Sequence, residues 1–130
     1  MPHITVDYSP NVAGYADIAG LCNRLRLAAA DTGVLPLAGI RVRAFAATHF
    51  SIADGDPQHG YVDIAVRLRG GRDLDTRKRA TTEIFEAARR YLEPAMQAHS
   101  LALSFEMRDI DPDLSPKCGT IRDHMKKAEQ

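Results

Sequence analysis

The second residue carries the sharpest chemical potential in the chain. With Met1 removed, Pro2 becomes the N-terminus, and its ring nitrogen changes from an amide without basicity into a secondary amine. An α-amino group titrates near roughly 8, the closest to neutrality of any protein amine, so modest perturbation makes it a proton shuttle at physiological pH. Burial at the mouth of an apolar pocket and nearby arginine charges both lower that value. His3 follows directly, placed either to orient the base or simply to be satisfied by a neighbour. Without such surroundings, Met1-Pro2 is only a common start, with proline at the head of an edge strand.

A second feature is Arg72, which follows Gly70-Gly71 and precedes Asp73, a good N-cap. At a strand-to-helix junction its fork of N–H donors and the positive end of the helix dipole can together grip a carboxylate. The glycine pair lacks the Gly-Lys-Ser/Thr ending of a nucleotide loop, so phosphate cradling is rejected. His49, Asp54, Asp56 and His59 superficially make a ligand set, but their spacing fits no standard zinc or calcium loop, and Asp54-Gly55-Asp56-Pro57 is turn chemistry. Cys22 and Cys118 are far apart and form no C-x-x-C pair, which argues against a zinc site and a disulfide framework; Cys22 reads as core filling. Neither a metal site nor a nucleotide cofactor is expected from these residues.

At 130 residues and 14.3 kDa, the chain suits one compact domain, 1–130, small enough that oligomerisation would help it. Lysine plus arginine and aspartate plus glutamate each total 17, leaving no excess basicity to track phosphates, so nucleic acid is not an expected partner. No apolar run approaches a membrane span, and the start lacks the basic stretch and hydrophobic core of a signal peptide, so the expected location is cytoplasmic.

The elements that must position these residues follow from periodicity. Ile4, Val6 and Tyr8 alternate with His3, Thr5 and Asp7, predicting a first strand from Pro2 to Tyr8. Ser9-Pro10-Asn11 supplies helix-start chemistry, and Ile18, Leu21, Cys22, Leu25 and Ala29 recur at helical spacing until Asp31-Thr32-Gly33. Residues 40–46 alternate as a second strand, with Arg41 and Arg43 on one face, and residues 54–60 read as a surface loop.

Val62, Ile64, Val66 and Leu68 predict a third strand. A long helix follows, with Ile84, Ala88, Tyr91, Leu92 and Ala95 on its apolar side, and Pro94 is expected to kink it or end its first part. Leu101, Leu103, Phe105 and Met107 predict the fourth strand. The tail, 111–130, allows at most a short helix around Ile121 to Lys127.

The order is strand-helix-strand, loop, strand-helix-strand: a structural repeat of roughly 60 residues, at 2–50 and 60–110. The fold class is α+β (an α/β two-layer), two fused β-α-β units making a four-stranded sheet with two helices on one face. The other sheet face is left bare, which predicts burial against further copies in a symmetric homo-oligomer.

Pro2 at the head of strand one, LPLAGIRVR at 35–43, IADG at 52–55, GGRDLDTRKRA at 70–80 and LALSFEM at 101–107 resemble the bacterial 5-carboxymethyl-2-hydroxymuconate isomerases of the tautomerase superfamily. The match runs in order from residue 2 to about 110, and the tail fits only loosely. The resemblance implies a tautomerase-like fold, a homotrimer and an N-terminal proline as acid/base. It also implies an anionic small-molecule substrate, an unsaturated tricarboxylate formed during homoprotocatechuate degradation.

It assigns Pro2 the proton transfer and gives Arg41 a substrate carboxylate or the 2-oxo group. Arg72 becomes the second anion clamp, and Arg43, two residues beyond Arg41 on the same face, is a further candidate. The place where the second unit's proline would sit, near Val62, is internal and lacks a free amine, so one site per chain is implied. Other readings remain: a different tautomerase-superfamily activity on a related enol or unsaturated acid, or a non-catalytic trimeric binding protein if Met1 is retained.

Overall fold

The computed structural model describes residues 2–125, so Met1 and the end of the expected helix at Lys126 and Lys127 lie outside the described residues. Four strands, β1 (His3–Tyr8), β2 (Arg41–Ala46), β3 (Gly60–Arg69) and β4 (Leu101–Ile110), form one sheet in the order β2-β1-β3-β4. Helix α1 (Ile18–Asp31) connects β1 to β2, and α2 (Leu74–Ala98) connects β3 to β4. Within each unit the strands are parallel, as the crossover predicts, with His3 beside Arg41 and Gly60 beside Leu101. Where the units meet, β1 and β3 run antiparallel, with His3 opposite Arg67 and Tyr8 opposite Val62.

Alternation decides which face is buried. Ile4 and Val6 of β1 join Val62, Ile64, Val66 and Leu68 of β3 in one cluster with Leu21, Leu25 and Ala29 of α1 and Ile84, Ala88 and Leu92 of α2. Each helix thus turns its apolar stripe onto the same sheet face, and the core crosses the seam between the units. Ile64 sits in the middle of this layer, fully enclosed. Ile64→Ala is expected to lower unfolding free energy by about 2–5 kcal/mol, read from the midpoint of denaturant unfolding.

The opposite face carries Thr5, Asp7, Arg43, Phe45, Ala65, Arg67 and Glu106, residues that alternate with the buried set; Phe45 is exposed. This is the bare face expected from the pattern.

Two expectations need correction. Ser9-Pro10-Asn11 does not open α1; it opens a separate 3-10 segment, Pro10–Gly14, and α1 starts only at Ile18 after the N-cap Asp17. Proline and a polar cap suit the first turn of either helix type. Bonds to β3 select the tight turn here: the Ser9 N–H donates to the Tyr61 carbonyl (3.1 Å), Ser9 Oγ accepts from the Tyr61 N–H (2.9 Å), and Asn11 Nδ2 donates to the His59 carbonyl (2.8 Å). Val12 is buried beneath.

The second correction concerns Pro94, which does not end the first part of its helix: α2 continues to Ala98. The proline removes only the N–H that would reach the Arg90 carbonyl, and both residues are exposed, so water can satisfy that carbonyl near the helix end. In the tail, Arg122–His124 form one 3-10 turn. No helix among the described residues is long and apolar enough to cross a membrane.

Candidate active site

The strand directions gather the candidate residues. Because β1 and β2 run together and against β3 and β4, the starts of the first pair and the ends of the second share one edge of the sheet. Pro2, Arg41, the Gly70-Gly71-Arg72 junction and the end of β4 at Ile110 all lie at that edge. Pro2 is fully buried there, and its carbonyl accepts from the Arg41 N–H at 3.1 Å, which fixes the head of β1 against β2. Such burial favours the neutral form of an amine.

His3 lies between arginines. Arg43 Nη1 lies 3.2 Å from His3 Nδ1. A guanidinium only donates, so Nδ1 accepts and the neutral ring carries its proton on Nε2. Burial, and then the charges of Arg67, Arg43 and Arg41, hold the His3 pKa below its usual value. Of the two sequence readings, a histidine satisfied by a neighbour is the geometry found, and it occupies Arg43.

Arg41 and Arg72 differ in availability. Arg41 Nη1 reaches the Gly39 carbonyl at 3.3 Å, and the side chain lines a cavity of about 260 Å³ with Pro36, Gly39, Lys117 and Cys118. Arg72 instead donates from Nε and Nη2 to the Val34 carbonyl (3.2 and 3.1 Å) and from Nη1 to the Arg69 carbonyl (2.8 Å). It therefore ties the link after α1 to the end of β3. Gly71, with φ of +118°, makes the turn that side chains rarely allow, and Asp73 caps α2 by accepting from the Thr76 N–H at 2.8 Å. That bond holds the Asp73 carboxyl below its ordinary pKa.

The superficial ligand set lies at the other end of the sheet. There His59 Nε2 is 2.7 Å from Asp54 Oδ1 and Nδ1 is 2.7 Å from Ser100 Oγ, while Asp56 Oδ1 accepts from the Gln58 N–H in a turn. Among the described residues no group of three histidine, cysteine or acidic side chains is placed to hold a metal. Cys22 is half-buried, its thiol pKa raised by that burial, and Cys118 is exposed.

The pattern overlooked Arg67 and Lys117. Arg67 stands opposite His3 in the seam, a pairing that alternation alone does not give; Lys117 lies in a segment without periodicity.

A β2-β1-β3-β4 sheet of two β-α-β units, with Pro2 buried at the head of a central strand, is a tautomerase-like fold. The structure is similar to a 5-carboxymethyl-2-hydroxymuconate delta-isomerase crystal structure at a TM-score of 0.89, 28% identical, covering 98% of this chain and 94% of the other. A fused 4-OT, a wild-type symmetric trimer, aligns at a TM-score of 0.65 with 18% identity, covering 85% of this chain and 88% of that one, a likeness of fold alone. In sequence, the chain is 35% identical over 121 residues to the Escherichia coli 5-carboxymethyl-2-hydroxymuconate Delta-isomerase, covering 93% of this chain and 96% of that protein. The family model of 5-carboxymethyl-2-hydroxymuconate isomerase matches residues 2–125, and the chain belongs to this isomerase family.

Proposed function

We infer that the chain converts 5-carboxymethyl-2-hydroxymuconate to its unsaturated 2-oxo isomer, in homoprotocatechuate degradation, with Pro2 as the acid/base. The observation that carries this reading is the burial of Pro2 at the edge where Arg41 lines a cavity, in a chain of this family. The neutral amine of processed Pro2 takes the proton of the 2-hydroxyl group. The resulting ammonium delivers that proton to carbon further along the conjugated system, so the amine is regenerated and nothing is consumed.

Arg41 holds a substrate carboxylate or the developing oxyanion at the 2-position, where fixed positive charge stabilises the transition state more than the ground state. Arg72 builds the edge on which substrate rests, and its remaining N–H groups face the same task. Arg43 acts through His3, keeping the ring beside Pro2 neutral. The bare sheet face fits assembly of three copies of the chain, and a fused 4-OT of this fold is a symmetric trimer.

The test is direct. Processed protein mixed with 5-carboxymethyl-2-hydroxymuconate is expected to deplete the dienol absorbance and form the 2-oxo isomer with kcat/KM of roughly 10⁴ M⁻¹s⁻¹ or more. A rate equal to the uncatalysed background, in protein whose mass confirms loss of Met1, overturns the reading.

A further inference from the structure

We propose that the cleft where residues 115–117 fold against the end of the sheet is a second carboxylate-binding site, with Lys117 and Arg67 as its cations, and that it selects a substrate bearing a third carboxylate. This inference rests on the polycarboxylate substrate argued above. The cleft holds about 120 Å³ and is lined by His3, Arg67, Arg69, Ile110, Ser115 and Lys117, together with Pro116. Pockets for whole ligands measure roughly 300–1,000 Å³, so this one suits a single charged group.

Its charge is unbalanced. No carboxylate among the described residues lies within ion-pair distance of Arg67, Arg69 or Lys117. Of the acids close by in sequence, Glu106 pairs with Arg108 (3.5 Å) and Asp109 with Arg77 (3.8 Å). Asp111 Oδ1 accepts from the Asp113 N–H (2.9 Å) within its own turn. After burial, the charge of Arg67 is the next cause of the lowered His3 pKa. Converging cations without a counter-ion among the described residues call for an external anion.

The tail is held in place to supply its lysine. Ser115 Oγ donates to the Asp111 carbonyl at 2.6 Å, closing the turn after β4 so that Pro116 and Lys117 return over the strand ends. Lys117 also lines the larger cavity that contains Arg41. The two hollows flank the head of β1: His3 lines one, and Arg41, whose N–H bonds the Pro2 carbonyl, lines the other. Lys117, which lines both hollows, joins them, so a substrate gripped by Arg41 in one and by Arg67 in the other lies close to the head of β1.

The experiment measures binding of propane-1,2,3-tricarboxylate and of glutarate, its two-carboxylate counterpart, to processed protein by titration calorimetry, alongside isomerase turnover. Wild type is expected to prefer the tricarboxylate by at least about tenfold, the scale of one charge-assisted contact. Lys117→Met and Arg67→Gln should each reduce that preference at least about fivefold, and Lys117→Arg should restore it. Equal affinity for both acids in wild type, or a preference untouched by both neutral substitutions, overturns the cleft even if turnover is high. Discrimination that depends on Lys117, found in a protein without turnover, upholds the cleft and removes the isomerase reading instead.

Discussion

Treatment with a methionine aminopeptidase, followed until the intact mass falls by one methionine residue, is expected to raise isomerase turnover at least about a hundredfold over protein retaining Met1. With Met1 attached, the Pro2 nitrogen is a tertiary amide whose lone pair is delocalised into the carbonyl, and it cannot accept the enol proton. Freed, it becomes a secondary amine in a site where Pro2 is fully buried, and burial favours the neutral, proton-accepting form of an amine. Pro2→Ala keeps an amine but loses the ring that fixes its direction, so an intermediate loss of roughly ten- to a hundredfold is expected with the fold retained. Equal turnover before and after processing would place proton transfer on another group.

Replacing the two arginines should separate binding from architecture. Arg41→Ala removes a cation lining the cavity while giving up only a long bond to the Gly39 carbonyl, so KM is expected to rise about tenfold to a hundredfold with little change in thermal midpoint. Arg72→Ala instead strips donors from the Val34 and Arg69 carbonyls and unties the link after α1 from the end of β3. A stability loss of about 1–3 kcal/mol is expected, with kcat and KM changing together as the edge loosens. Steady-state kinetics and denaturant midpoints on both variants check this. An Arg41→Ala enzyme with unchanged KM, or an Arg72→Ala protein as stable as wild type, contradicts the assignment.

Most of the fold is legible in the chain because the sheet is buried on one face only. That asymmetry stamps a period of two on Ile4 to Tyr8 and Val62 to Leu68, and the helices repeat it at their own spacing over Leu21 to Ala29 and Ile84 to Ala95. The antiparallel seam between β1 and β3 is not legible, since periodicity gives a strand its faces but not its neighbour or direction. Arg72 was visible as a junction residue, yet the carbonyl it binds belongs to Val34, which only tertiary structure brings near. The start of α1 is not legible because Ser9-Pro10-Asn11 suits either helix type, and the choice is made by hydrogen bonds to Tyr61 and His59, some fifty residues away. Lys117 escaped because a tail without regular structure has no period to expose it.

The seam has a further consequence for concentration. Residues 47–59 tether β2 to β3, so β1 meets β3 within one molecule. A tether of this kind acts as an effective concentration on the order of millimolar, far above the level of most proteins in solution. Two separate β-α-β chains would have to find each other by collision and would part on dilution. Here the central pairing of the sheet is independent of how dilute the protein becomes, whereas any pairing of one copy with another is subject to mass action.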